Sequence, residues 1–187
     1  GQRKISQIIP VERTEAHRLI EECMLCANVC SAEFLEKVKI PALYRVHEGP
    51  SEERLSSVRD FLGELGIGLG GGEDPQPEDY QRVLRAVRGR DDASVIQTVM
   101  LRSMSQAVYQ PENLGHFGLA FDAYTHFTSP IRRYADLLVH RAIRSLIRGT
   151  KKIAQVQRVE GVKNLAIETI YPYDLGRLQE TGEHLSV

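Results

Sequence analysis

One segment constrains the fold of this chain more than any other, the stretch 130–148, which has the apolar spacing of a long amphipathic helix. Apolar side chains at positions 134, 138, 142 and 146, and at 135, 139, 143 and 147, form one broad face. Ser129 suits the N-cap, and Pro130 suits the first turn because the N–H that proline lacks would be unpaired there anyway. The sequence therefore predicts a helix over 130–148 that packs by one face against a core.

The predicted start of this helix has the properties of an anion site. The first amides of a helix and the positive end of its dipole point outward. Arg132 and Arg133 follow within the predicted first turn. A guanidinium group binds a phosphate with two parallel hydrogen bonds and stabilises charge that develops on it. We therefore expect the turn beginning at Ser129 to bind a phosphodiester.

The same segment concentrates positive charge in a chain whose net charge is −1. Against the single acid Asp136 it carries seven Lys/Arg, at positions 132, 133, 141, 144, 148, 151 and 152. Local clustering of this kind is the footprint that a nucleic-acid backbone requires, although a basic helix face is more often simply solvated. Tyr124, Phe127 and Tyr134 could stack on bases or fill the core. These residues alone leave both alternatives open.

The rest of the chain predicts a helix-rich α+β fold with a few short strands. Helical periodicity covers 14–36, 51–65, 78–87 and 92–104, and a short helix follows 174. A strand or lead-in is expected over 1–10, a strand at 42–46, and irregular strand and loop over 106–127. The glycine-rich stretch 66–72 is interpreted as a flexible connector, because a dinucleotide-binding loop needs a strand before it and a helix after it. No apolar run reaches the roughly 20 residues of a membrane helix, and a cytoplasmic protein is expected.

The three cysteines, Cys23, Cys26 and Cys30, fall on one face of the first predicted helix. An odd number of closely spaced cysteines makes a poor disulfide framework and indicates a reducing compartment. We expect buried structural thiols, which pack as small hydrophobic groups. An iron–sulfur or zinc module built on the three thiols is the alternative.

Several runs of the chain resemble the ribonuclease II/R family of RNB-domain exoribonucleases. The family's signature, GHFGLA followed by YTHFTSPIRRY, DL and HR, stands here at 115–120, 124–134, 136–137 and 140–141. The stretch AHRLIEECMLCAN at 16–28 resembles the family's IEE helix, and Gly182-Glu183-His184 also fits. The His-Phe-Thr-Ser form of the signature favours the ribonuclease R branch. The resemblance touches both ends and the middle of the chain.

The resemblance implies a fold, an activity and site residues. Members of the family are processive hydrolytic exoribonucleases that degrade single-stranded RNA from the 3′ end to 5′-nucleoside monophosphates with Mg²⁺ as cofactor. The residue matching Arg132 lies against the scissile phosphate, so Arg132 is the expected catalytic residue. The implied RNA-binding or site-shaping residues are Arg133, Tyr124, His126, Thr128, Ser129, Glu21 and Glu22.

One departure from the family limits what this chain is expected to do alone. The family binds magnesium through a tight cluster of aspartates upstream of the matched segment, and the only adjacent pair here, Asp91-Asp92, follows a helix break and suits an N-cap. We therefore expect residues 1–187 to be the C-terminal part of the catalytic domain, truncated at both ends, without the flanking oligonucleotide-binding (OB) domains, and inactive by itself. A catalytically silent RNA-binding protein of the same fold is the alternative.

Overall fold

The computed structural model describes residue 7 and residues 12–149, 153–157 and 161–186. Most of the strand or lead-in predicted over 1–10 lies outside these residues, as do Lys151 and Lys152 of the basic segment.

The described part of the chain contains seven α-helices and two short strands, which confirms the predicted helix-rich α+β class. In chain order the elements are α1 Glu15–Val38, β1 Tyr44–Val46, α2 Glu52–Glu64, α3 Pro77–Ala86, α4 Ala93–Ser103, β2 Val108–Gln110, α5 Tyr134–Arg148, α6 Ile167–Ile170 and α7 Leu175–Leu185. β1 and β2 pair antiparallel, with Arg45 opposite Tyr109. Of these elements, the short helix α6 is the one that the sequence did not predict.

The first helix begins where its capping residues direct it. Thr14 is extended and is the N-cap, and its side chain accepts the amide of His17. His17 Nδ1 in turn accepts the amide of Thr14 at 3.1 Å. The pair forms a capping box in which an imidazole takes the place of the usual carboxylate. At the other end, Lys39 adopts the left-handed conformation and ends the helix.

Helices α2, α3 and α4 form one lobe around a core of their own. Ser51 and Gln76 are the N-caps of α2 and α3, and α2 packs directly on α4. The buried side chains of this lobe are Leu55, Val58, Leu62, Tyr80, Val83, Val87, Ile96 and Met100. Their burial stabilises the lobe by an apolar cluster that the other helices do not share.

The second lobe surrounds the two-stranded sheet and contains α1, α5, α6 and α7. Leu138 of α5 packs with Leu43 and Leu178 in one core cluster, while Val139 and Ala142 pack with Leu35 in another. Helix α7 lies against β2, and Gly182 passes so close to the Tyr109 carbonyl that a Cβ there would overlap it. Glycine is therefore required at this approach.

The prediction of buried cysteines is wrong for the described part of the chain. Cys23, Cys26 and Cys30 are all exposed. Helix α1 packs through a different face, which buries Asn28, Ser31, Ala32 and Leu35. A helical period identifies residues that share a face, but it does not identify which face meets the core.

The predicted start of α5 is also wrong by four residues. The helix begins at Tyr134 with Arg133 as N-cap, and residues 130–132 form a turn. The amides of Arg132 and Arg133 both donate to the carbonyl of Ser129, at 3.2 and 3.1 Å. They are therefore not free to bind an anion, and Ser129 does not cap the helix.

Among the helices of the described residues, none combines the length and the apolar character needed to cross a bilayer.

Candidate nucleic-acid interface

The loop 124–133 runs from the sheet to the start of α5, and three polar side chains hold its backbone. Asn28 of α1 is 3% exposed, and its Oδ1 accepts the amides of Phe127 and Thr128 at 2.9 and 3.3 Å. Its Nδ2 donates to the hydroxyl of Tyr124 at 2.9 Å. One side chain therefore fixes three points of the loop to α1.

His140 of α5 holds the same loop from the opposite side. Its Nε2 donates to the Phe127 carbonyl at 2.9 Å, and its ring stacks on the Phe127 ring with centroids 4.2 Å apart. Since Asn28 binds the Phe127 amide, both backbone groups of this residue are bound by side chains. Phe127 thereby packs between α1 and α5 and does not extend toward solvent.

Asp136 completes the set of side chains that bind the loop. It is 0% exposed, and its Oδ1 accepts the Ser129 amide at 2.7 Å. The same carboxylate forms a two-pronged ion pair with Arg133, through Nε and NH2 at 2.8 Å each. Bidentate pairs of this kind fix orientation as well as charge. We call Asn28, His140 and Asp136 the loop clasp.

Arg132 lies at the apex of the turn that the loop clasp holds. Its side chain is exposed, and within the described residues no ion pair or hydrogen bond engages its guanidinium group. Its neighbour Ile131 is fully exposed at 102%. Adjacent arginines therefore differ in state, since Arg133 is neutralised by Asp136 and Arg132 keeps its five donors available.

The concentrated basic segment is not uniformly available to a polynucleotide. Arg141 donates to the carbonyl of Ile170, and Arg148 donates to the carbonyl of Lys163. With Arg133 paired as described, these arginines are bound to protein oxygens. Arg132 and Arg144 are the exposed arginines in the described part of this segment. The charge count of the sequence therefore overestimates the positive charge that is presented to solvent.

The side chains of three further loop residues that were predicted for the site, Tyr124, His126 and Thr128, face the protein interior. Tyr124 is 5% exposed and stacks on Phe121, so it faces the core. His126 bonds the hydroxyl of Tyr109 at 2.6 Å, and burial, together with the nearby Arg133 charge, lowers the pKa of His126 to about 4. His126 is therefore neutral near pH 7 and does not supply a cation for phosphate. The Oγ1 of Thr128 is buried without a partner in the described part.

Glu21 and Glu22 lie on α1 and do not enter the loop clasp. Glu21 pairs with Arg13, and Glu22 is exposed. They precede Asn28 by six or seven residues, which corresponds to about 10 Å of helix rise. Their contact with RNA remains a prediction.

Comparisons with known proteins identify the family. The RNB domain family matches residues 2–149 of the chain. The chain belongs to the RNB domain family. It is 61% identical over 147 residues to ribonuclease R of Vibrio cholerae, covering 79% of this chain and 18% of that protein. It is 48% identical to ribonuclease R of Escherichia coli K12 over 187 residues, which is 100% of this chain and 22% of that protein.

A solved structure of an RNB protein shares the fold. It is Mycoplasma genitalium RNase R in complex with ribose methylated single-stranded RNA, with a TM-score of 0.75 and 27% sequence identity. The similarity covers 94% of this chain and 26% of that one. The chain thus spans about a fifth of the two curated relatives and about a quarter of this structure.

The described residues of this RNB chain do not fit a magnesium site. No three His, Cys, Asp or Glu side chains among them converge to hold an ion. At the loop, the buried carboxylate of Asp136 is already bound to Ser129 and Arg133. Asp92 occupies the N-cap position of α4, as predicted, and its carboxylate pairs with Arg90.

Sequence reasoning missed the residues of the RNB loop clasp. Asn28, His140 and Asp136 were seen as part of family motifs, and Asp136 also as the one acid in a basic segment, but none was assigned to the site. One signal could have located the true helix start. Asp136 is the third residue of α5, the position where an acid usually reaches back to the N-cap region. Counted from Ser129, the third position is Arg132, which cannot accept a hydrogen bond.

Proposed function

We propose that the chain is the C-terminal part of the nuclease domain of a longer 3′–5′ exoribonuclease of the ribonuclease R type. The full-length protein that contains the chain (the parent enzyme) degrades single-stranded RNA to 5′-nucleoside monophosphates in this proposal. The relatives named ribonuclease R and the RNA complex of the Mycoplasma protein support the substrate class. One observation carries the site. Within the described residues nothing pairs with the exposed guanidinium group of Arg132, and the buried carboxylate of Asp136 holds the turn that contains it.

Hydrolysis from the 3′ end places a defined demand on Arg132. Water forms a bond to phosphorus, the bond between phosphorus and the 3′ oxygen of the preceding nucleotide breaks, and that oxygen leaves with a proton. Negative charge is spread over the non-bridging oxygens in the transition state. Arg132 donates to those oxygens with a rigid fork, which stabilises the transition state more than the ground state.

The magnesium ions of this proposal are held by carboxylates of the parent enzyme outside the described residues. Two-metal chemistry needs several carboxylates around ions roughly 4 Å apart, and the described residues offer no such group. Flanking OB-type domains of the parent enzyme capture the RNA strand, and the enzyme acts in the cytoplasm. The 187-residue chain alone is accordingly inactive.

The test compares the chain with the parent enzyme on uniformly labelled single-stranded RNA in the presence of Mg²⁺. We expect the parent enzyme to release mononucleotides and the chain to release none. In the parent enzyme, Arg132→Lys keeps the charge and removes the fork, and kcat falls by about 10²-fold or more. Arg85→Lys is the matched control, because Arg85 is an exposed arginine of α3 that bonds only its neighbour Gln81 within the described part; kcat stays within about 2-fold.

Two results would overturn the proposal. A parent enzyme that binds RNA but leaves it intact would support the catalytically silent RNA-binding alternative. Release of mononucleotides by the isolated chain would show that its own residues complete the site.

A further inference from the structure

Asp136 is the most deeply buried charged group at the candidate site. It is the third residue of α5, is 0% exposed, and its two oxygens accept three hydrogen bonds. The donors are the Ser129 amide and two nitrogens of Arg133. A buried carboxylate is costly unless it is paired and hydrogen-bonded, and this one is both.

The three hydrogen bonds join the two ends of one turn. Ser129 begins the turn and Arg133 ends it, and the amides of Arg132 and Arg133 also donate to the Ser129 carbonyl. The carboxylate therefore fixes both ends from the buried side. The residues between them project outward, with Ile131 and Arg132 exposed. Because Asp136 belongs to α5, the turn inherits the orientation of a packed helix.

Asp136 also gives the two adjacent arginines, Arg132 and Arg133, different environments. It neutralises Arg133 and keeps that side chain 22% exposed, while Arg132 remains unpaired within the described residues. Without the carboxylate, Arg133 would be free to bind the same anion as Arg132. Two flexible cations could then hold a phosphate in several positions, and only one of these suits in-line attack.

We propose that Asp136 is a positioning residue, whose simultaneous grip on Ser129 and Arg133 sets the place of Arg132 against the scissile phosphate. The inference rests on the proposed function of Arg132 and adds a residue that acts through it. Asp136 itself touches no RNA in this account.

The test is Asp136→Asn in the parent enzyme. The amide keeps an acceptor for Ser129 but loses the charge and one acceptor for Arg133. We expect kcat for single-stranded RNA to fall by about 10- to 100-fold, because misplacement by about 1 Å has effects of this size. The dissociation constant for RNA stays within about 3-fold, since Arg132 remains present.

Asp79→Asn is the matched control on α3. Asp79 is also buried, accepts the Gln76 amide at 2.8 Å and pairs with an arginine three residues away, Arg82. It lies in the other lobe. We expect this variant to be destabilised to a similar degree with kcat unchanged within about 2-fold, once the rate is divided by the folded fraction.

A double-mutant cycle with Arg132→Ala distinguishes positioning from general structural damage. If Asp136 acts through Arg132, adding Asp136→Asn to Arg132→Ala lowers kcat by less than about 3-fold further. A further loss of 10-fold or more would overturn the inference, because damage to the fold multiplies with the loss of Arg132. Should Asp136→Asn fail to fold, Arg133→Lys enters the same cycle, and it removes the two-pronged contact from a partly exposed side chain.

Failure of this inference is separable from failure of the proposed function. If Arg132→Ala leaves RNA hydrolysis unchanged, the proposed role of Arg132 is wrong and Asp136 has nothing to position. If Arg132→Ala lowers kcat strongly while Asp136→Asn matches Asp79→Asn, the function stands and the positioning role of Asp136 is wrong.

Discussion

The starts of α3 and α5 share one structural feature, a buried aspartate, but the two aspartates hold different parts of the chain. Each helix has a buried aspartate at its third position, and each aspartate pairs with an arginine three residues away. In α3, Asp79 reaches back to the amide of the N-cap Gln76. In α5, Asp136 passes over the N-cap and binds the amide of Ser129, four residues further back.

The longer reach changes what the aspartate holds. Asp79 closes a capping box, and it also lies under the glycine loop at Gly70 and Gly71. Asp136 holds a turn that is outside the helix and contains Arg132, which has no ion-pair partner within the described residues. A buried aspartate at the third position of a helix can therefore hold either its own N-cap, as Asp79 does, or a turn that precedes the helix, as Asp136 does.

The largest expected effect is on kcat, and it distinguishes Arg132, which precedes α5, from Arg82 of α3. Arg132→Ala in the parent enzyme should lower kcat by about 10²- to 10³-fold with a much smaller change in RNA affinity, because the lost contact forms mainly in the transition state. Arg82→Ala should leave kcat unchanged, since Arg82 pairs with Asp79. Single-turnover hydrolysis and RNA binding measure the two effects separately. Equal losses in both variants would break the comparison.

The next effect is on stability, and it tests the packing of Asp79 at the start of α3. Gly71 has a φ of +85°, and a Cβ there would overlap the Pro75 Cα and lie 2.5 Å from Asp79 Oδ2. Gly71→Ala should therefore lower the free energy of unfolding by about 3 kcal/mol through strain and displacement of Asp79. Urea denaturation of the chain measures the loss. Gly72→Ala is the control for backbone strain alone, because its φ is also positive but its Cβ would meet open space.

A smaller effect on stability tests the α5 side. Asn28→Ala leaves the Phe127 and Thr128 amides without their acceptor, and we expect a loss of about 2 kcal/mol. Unlike Gly71→Ala, it should also lower kcat of the parent enzyme by about 10-fold, because the loop that ends at Arg132 is loosened. An Asn28→Ala enzyme with reduced stability and full kcat would show that the loop clasp serves folding alone.

The smallest effect is a pH dependence of stability that arises in the second lobe, which contains the sheet. Burial is the main cause that lowers the pKa of both His116 and His126 to about 4, against an ordinary value of about 6.5. The unfolded chain therefore binds protons that the folded chain does not, and stability is lost as the pH falls from about 6.5 to about 4. His126→Gln should reduce the slope of unfolding free energy against pH by about half. An unchanged slope would show that His126 is not responsible.

Much of the fold could be predicted because its signals are local. Thr14 and Ser51 cap the helices that periodicity predicts, and Gly66 follows α2 with a positive φ. The strand at Tyr44–Val46 lies within the predicted 42–46. These elements depend on neighbours within a few residues, and a single sequence contains that information.

The candidate site could be predicted only in part, because its geometry depends on distant contacts. Arg132 and Arg133 carry the same charge in the sequence. Asp136 pairs with Arg133, whereas no partner of Arg132 lies among the described residues. Asn28 lies about 100 residues from the amides that it binds. The burial of Tyr124 and the exposure of Cys23 likewise depend on which faces meet, and no local pattern specifies this.

The most direct test of the account is rescue of the Arg132→Ala parent enzyme by free guanidinium ion. A turn held by Asn28, His140 and Asp136 should keep the vacated space in place, so the single-turnover rate on single-stranded RNA should recover by at least about 10-fold, while Arg132→Ala/Asp136→Asn recovers far less. Hydrolysis by Arg132→Ala at the unmodified rate would contradict the account, and so would equal recovery in both variants.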